Sequence, residues 1–124
     1  MEAMIIGEHE KKVRVKTSIG CFEGTWCSPD PAEYKGYILE LDSDDVLTFE
    51  MIKISNIDIA YINQIDDKIY LNGKVEKIQN EILFLRLHKS IMMLEISMDL
   101  DFSVFINQYV EITIRSINLF DVGI

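Results

Sequence analysis

KIYLNGKVEKIQNEILFLRL, residues 68–87, decides the fold class. Ile69, Leu71, Gly73 and Val75 share one face and Tyr70, Asn72, Lys74 and Glu76 the other, the period of two expected of a strand with one side in a core. Gln79-Asn80-Glu81 then breaks the pattern with turn-forming residues. Ile82-Leu83-Phe84-Leu85 is apolar on both faces, which predicts a central strand covered on both sides. The abundant isoleucines at even spacing oppose a helix, because β-branched side chains lose χ1 freedom there and fit a pleated surface well.

Outward from this hairpin the same period recurs. Ser90 to Ser97 continues the meander, and Tyr109 to Ile114 alternates strictly before Ile117 and Leu119 carry on in a shifted register, which predicts a bulge. Toward the N-terminus, Lys12 to Thr17 and Cys21 to Trp26 read as strands, and Ser28-Pro29-Asp30-Pro31 as a loop, since neither proline can donate to a ladder. Tyr37 to Leu41 and Val46 to Phe49 predict a hairpin whose tip is Asp42-Ser43-Asp44-Asp45. A short helix is expected within 99–107, where Leu100, Val104 and Phe105 share a side and Asp99 or Ser103 provides a cap. The expectation is an all-β chain, an antiparallel β-sandwich or partly open β-barrel of about eight or nine strands. No internal repeat of convincing period, low-complexity tract or linker is visible, so residues 1–124 form one domain.

Composition agrees. Apolar residues make up 48% of the 124, enough for an ordinary core and too many for a disordered chain. Uncharged runs such as Ile59 to Ile65 fall far short of the roughly 20 residues that span a bilayer. Met1-Glu2-Ala3-Met4 places an acid where a secretion signal needs a base, so no membrane partner and a cytoplasmic location are expected. Cys21 and Cys27 match no zinc or redox spacing and read as free thiols.

The net charge of −9 is regional. From Tyr37 to Asp67 eight acids (Glu40, Asp42, Asp44, Asp45, Glu50, Asp58, Asp66, Asp67) stand against one base, Lys53. A local negative field on a small domain points to a partner with a basic surface. Catalytic chemistry has no visible cast: the two histidines, His9 and His88, lack a nucleophile motif, and His88 beside Arg86 and Lys89 reads as a solvated strand end. Counted from Asp42, a calcium loop wants Gly sixth and Glu twelfth, where Leu47 and Lys53 stand. No metal, no cofactor and no enzyme activity are therefore expected. Lys12, Arg14 and Lys16 near Phe22 and Trp26 are a minor nucleic-acid alternative, opposed by the overall negative charge.

Size, acidity and the β-pattern running from Leu83-Phe84-Leu85-Arg86-Leu87 through Ile91-Met92-Met93-Leu94-Glu95 to Tyr109-Val110-Glu111-Ile112 resemble, over the last half of the chain, the small immunity proteins of bacterial contact-dependent and polymorphic toxin systems. The resemblance is one of type and carries no site residue across. It implies a non-catalytic inhibitor that occludes the basic cleft of a cognate nuclease toxin. Charge complementarity would then act through Asp42, Asp44, Asp45, Glu50 and Asp58, with Tyr37 among the aromatic anchors. Another protein-interaction or structural β-module is the competing expectation, and an OB-like nucleic-acid or small-ligand binder a weaker one.

Overall fold

A computed structural model describes residues 1–123. The first six strands are β1 (Glu2–His9), β2 (Lys12–Thr17), β3 (Gly20–Trp26), β4 (Gly36–Asp42), β5 (Val46–Leu47) and β6 (Ile52–Ile54). The rest are β7 (Tyr61–Ile65), β8 (Lys68–Gln79), β9 (Ile82–Leu87), β10 (Ser90–Ile96), β11 (Tyr109–Ile114) and β12 (Asn118–Asp121). The chain is all-β. Strands β1, β2, β3, β12 and β4 close a barrel, and the remaining seven form a second sheet.

The two assemblies are copies of one plan. Met4 pairs with Lys16 and Lys74 with Arg86, each number in the second pair being 70 higher than its counterpart in the first. The register shift between Ile5 and Gly7 recurs between Val75 and Lys77 at the same offset. β4 returns to pair with β1 as β11 returns to pair with β8, now at an offset of 73, since Met4 faces Gly36 and Lys74 faces Tyr109. Interior positions correspond: Ile5 with Val75, Val13 with Leu83, Val15 with Leu85, Phe22 with Met92 and Leu39 with Ile112 are all buried. The repeat escaped sequence analysis because none of residues 2–26 is identical to its counterpart in 72–96. Only size and apolarity at core positions were kept.

The halves exchange their closing strands. β12, at the end of the second half, pairs parallel with β3 and antiparallel with β4, closing the barrel. β5 and β6, at the end of the first half, pair with β10 and β11 of the second, separated by a 3-10 turn at Phe49–Met51. The equivalence is residue by residue, for Asn118 faces Thr25 and Val46 faces Glu95. The expected acidic hairpin is thus overturned: β4 and β5 do not pair, and Asp42 to Asp45 carry the chain from one half to the other. The expected bulge near Ile117 is the matching crossover, Arg115 to Ile117. Among the described residues twelve strands replace eight or nine, because β6 and β7 are short and β1 is apolar on both faces at Met4 to Ile6, which hides its period.

Among the described residues of the first half no strand corresponds to β7. It pairs with the start of β8 and leans on β3, where the Ile62 N–H donates to the Ile19 carbonyl at 2.9 Å and the Gln64 Oε1 accepts from the Glu23 N–H at 2.7 Å. Approach is so close that a Cβ on Gly20, whose φ is +142°, would lie 1.8 Å from the Ile62 carbonyl oxygen. β7 therefore seals the seam between the two sheets.

The expected helix shrinks to a 3-10 turn at Phe102–Phe105, capped by Asp101, whose side chain accepts from the Ser103 N–H. Phe102 and Phe105 are buried and pack with Phe49. Phe84 is half-buried under the Lys77 ammonium, 4.6 Å from the ring, so the β9 outer face meets charge and solvent and not another layer. Among the described residues no helix is long and apolar enough to cross a membrane.

Candidate partner-binding surfaces

Asp42, Asp44 and Asp45 meet at the crossover, while Tyr37 lies at the other end of β4 and Glu50 and Asp58 lie on two other segments. At the crossover the Ser43 hydroxyl donates to the Ser116 carbonyl at 2.9 Å, joining two positions related by the 73-residue offset. The Asp45 carboxylate accepts from the Arg115 N–H at 2.7 Å, and the Asp44 carboxylate from the Asn118 amide at 3.1 Å. Asp45 is half-buried and engaged in holding the two crossing loops together; Asp42 and Asp44 stay exposed on that rigid base. Glu50 is exposed on the 3-10 turn beside the phenylalanine cluster.

Asp58 rides on the loop before β7, which is pinned from beneath. Asn72 is fully buried, and its amide donates to the Ile57 and Ile59 carbonyls at 2.9 and 2.8 Å. Beside it the Tyr61 hydroxyl donates to Glu111, which also pairs with the Lys53 ammonium at 3.5 Å. Burial, then the hydrogen bond to Glu111 and its negative charge, push the Tyr61 hydroxyl from 10 up to about 12. The folded value lies above the unfolded one, so this contribution to stability is complete below pH 10 and disappears as pH rises through about 12. Urea denaturation should show the stability gap between wild type and Tyr61→Phe shrinking across that window. A constant gap would mean that the hydroxyl is not held by Glu111.

Tyr37, half-buried at the opposite end of β4 from Asp42, packs edge-on against Trp26 at 5.0 Å, and its hydroxyl accepts from the Glu33 N–H at 2.9 Å. It borders an open groove of about 810 Å³ floored by Met4, Ile6 and Ile38. Met4 and Ile6 are 46% and 43% exposed. The second half supplies an internal control, because the counterparts of Met4, Ile6 and Ile38 are Lys74, Glu76 and Glu111, and Arg86 there forks onto Glu76 at 2.8 to 3.3 Å. The architecture tolerates a polar face at these positions, so the apolar groove is a property of this half and not a demand of the fold. A smaller groove of about 340 Å³ adjoins it through Glu2, Ser18 and Ile38.

Sequence analysis missed Met4, Ile6 and Ile38. The available signal was the apolar triplet Met4-Ile5-Ile6, which cannot bury all three side chains in one strand. Cys21 is half-buried and Cys27 exposed, both as free thiols. Comparison with family models, curated proteins and solved structures returned no match.

Proposed function

We propose that this chain is a non-catalytic binding protein that takes a basic protein partner, and within that class an immunity protein that covers the nucleic-acid cleft of a cognate nuclease toxin in the cytoplasm. The distribution of its carboxylates carries the reading. Of 21 acids, seventeen are exposed, and the four that are half-buried (Glu23, Asp45, Glu76 and Glu111) each have a partner within the chain. The fold thus gives each acid it half-covers a hydrogen-bond or ion-pair partner and presents the others to solvent. Such a surface accelerates encounter with a cationic cleft and orients it, while affinity depends on desolvated anchors. Asp42 and Asp44, fixed on the hydrogen-bonded crossover, offer a charge that needs little ordering on binding.

Co-expression with the product of the adjacent gene, followed by affinity capture and growth rescue, tests the assignment. Rescue with capture supports it, and neither toxicity nor capture overturns it. Where a complex forms, the combined change Asp42→Asn, Asp44→Asn, Glu50→Gln and Asp58→Asn should slow association by about tenfold at low salt and flatten its salt dependence, read by stopped-flow. Asp45 is kept, since its carboxylate holds the crossover. Unchanged association would remove these acids from the interface.

A further inference from the structure

We infer that the ridge formed by Phe49, Glu50, Asp101 and Val104 is the anchor of this chain, entering an apolar pocket rimmed by lysines or arginines on a basic protein partner. The internal repeat shows that both segments of the ridge are additions to the shared plan. From the residue that faces Thr25 to the one that faces Leu39, β12 takes three steps, Asn118 to Asp121. Between the matching partners Glu95 and Ile112 the chain takes six, Val46 to Ile52, and the 3-10 turn Phe49–Met51 occupies the excess. The loop after β10 is longer by the same three residues, since Trp26 to Gly36 corresponds to Ile96 to Tyr109. Far apart in the chain, the two insertions touch: the Phe49 ring lies 4.9 Å from Phe102 and 6.1 Å from Phe105.

Closing the core accounts for only part of this cluster. Trp26 and Tyr37 pack against the core in the first half, and their counterparts are the smaller Ile96 and Val110. Phe102 and Phe105, both buried, make up that volume. Phe49 stays 45% exposed, and Val104, on the same turn as the buried pair, 65% exposed. A half-exposed ring fixed by two others has little freedom left to lose on binding, and aromatic anchors of this kind dominate interfaces. It takes the role expected of Tyr37, whose ring is engaged by Trp26. Charge selects the partner. The segments Thr48 to Met51 and Ser97 to Gln108 carry three acids, Glu50, Asp99 and Asp101, all exposed, and no base. Asp101 is held in place by the Ser103 N–H and hydroxyl, which donate to it at 3.0 and 2.6 Å. An apolar ridge with an acidic rim complements an apolar pocket with a cationic rim, and a cation also favours the face of an aromatic ring. The inference rests on the reading of a basic protein partner and names where that partner is gripped.

The probe is the purified product of the adjacent gene, in complex with the full chain. Phe49→Ala should raise the dissociation rate by about tenfold or more and leave the association rate and its salt dependence near wild type. The acid-to-amide variant above acts the other way, on association. Val104→Arg, at an exposed position that leaves the rings in place, sets a base against the cationic rim and should raise dissociation similarly. It decides the matter if Phe49→Ala loosens the fold. Ile91→Ser removes an apolar side chain of similar exposure from the outer face of β10 and should change nothing. Wild-type dissociation in both Phe49→Ala and Val104→Arg, with association still slowed by the acid-to-amide variant, overturns the anchor and leaves the basic-partner reading standing. An equal effect of Ile91→Ser overturns it too, since the partner would then respond to apolar surface at large. Absence of any complex overturns the anchor and the reading together.

Discussion

Fragments 1–56 and 57–124, produced separately, should each stay largely unfolded, and on mixing should assemble into one β-rich species. The first fragment holds β1 to β4 without β12, and the second holds β8 to β11 without β5 and β6. The first lacks the strand that closes its barrel, the second lacks the two strands at the edges of its sheet, and each carries what the other is missing. Leu47 and Leu119, counterparts on those strands, are both fully buried, and losing either opens a core that costs about 2 to 5 kcal/mol for a single leucine truncated to alanine. The first fragment also loses β7 and so exposes the edge of β3. The cut after Asn56 severs only the short bonds between Ser55 and Ile57, and the two bonds from Asn72 to the loop remain within the second fragment. Far-UV circular dichroism and gel filtration of the fragments alone and at equimolar ratio provide the measurement. A fragment that folds alone, with cooperative melting, would show that the exchanged strands are accessories to the barrel and not part of its core.

Interlocking of this sort was illegible in the sequence for a physical reason. Period-two patterning reports that a residue is in a strand and which face is buried, as it did for Ile69 to Val75 and for Tyr109 to Ile114. It is silent on which strand lies alongside. Asp42-Ser43-Asp44-Asp45 has the composition of a hairpin tip and also of an exposed crossover, since both need polar residues that bond their own backbone. Parallel partners of two residues, such as Val46 and Leu47 against Glu95 and Ile96, leave no periodic signal at all. The repeat is invisible for the related reason that a core asks for volume and apolarity, which Phe22 and Met92 satisfy equally without identity.

The candidate surfaces divide along the same line. Exposed acids were readable, because burying an unpaired carboxylate is so costly that sequence alone places it at the surface. That Asp45 would be drawn into the crossover while Asp42 remained free depends on Arg115 lying 70 residues further along, and no local pattern encodes it. Tyr37, chosen for its nearness in sequence to the acids, stands instead at the far end of β4 against Trp26. The apolar groove became recognisable only once the second half showed Lys74, Glu76 and Glu111 at the matching positions. Duplication makes one half the reference for what the other half adds.

That comparison yields the sharpest single substitution, Gly20→Ala, which should destabilise the chain by about 4 kcal/mol or more, a large share of the 5 to 15 kcal/mol of a typical domain. The new Cβ would fall 1.8 Å from the Ile62 carbonyl oxygen, a backbone atom that a rotamer change cannot clear, and φ of +142° disfavours any side chain. Relief requires β7 to leave β3, so the Ile62 amide should lose its protection from hydrogen exchange and the melting temperature should fall by about 10 to 20 °C. Gly36→Ala is the control, because its Cβ would meet nothing closer than the Ala3 carbonyl at 3.8 Å, and stability should be nearly unchanged. The counterpart of Gly20 is Ser90, the first residue of β10. A side chain is carried at 90, where φ is not positive, and excluded at 20, where φ of +142° and the closeness of β7 both act against it. If Gly20→Ala proved as harmless as Gly36→Ala, β7 would not be seated against β3 at that distance.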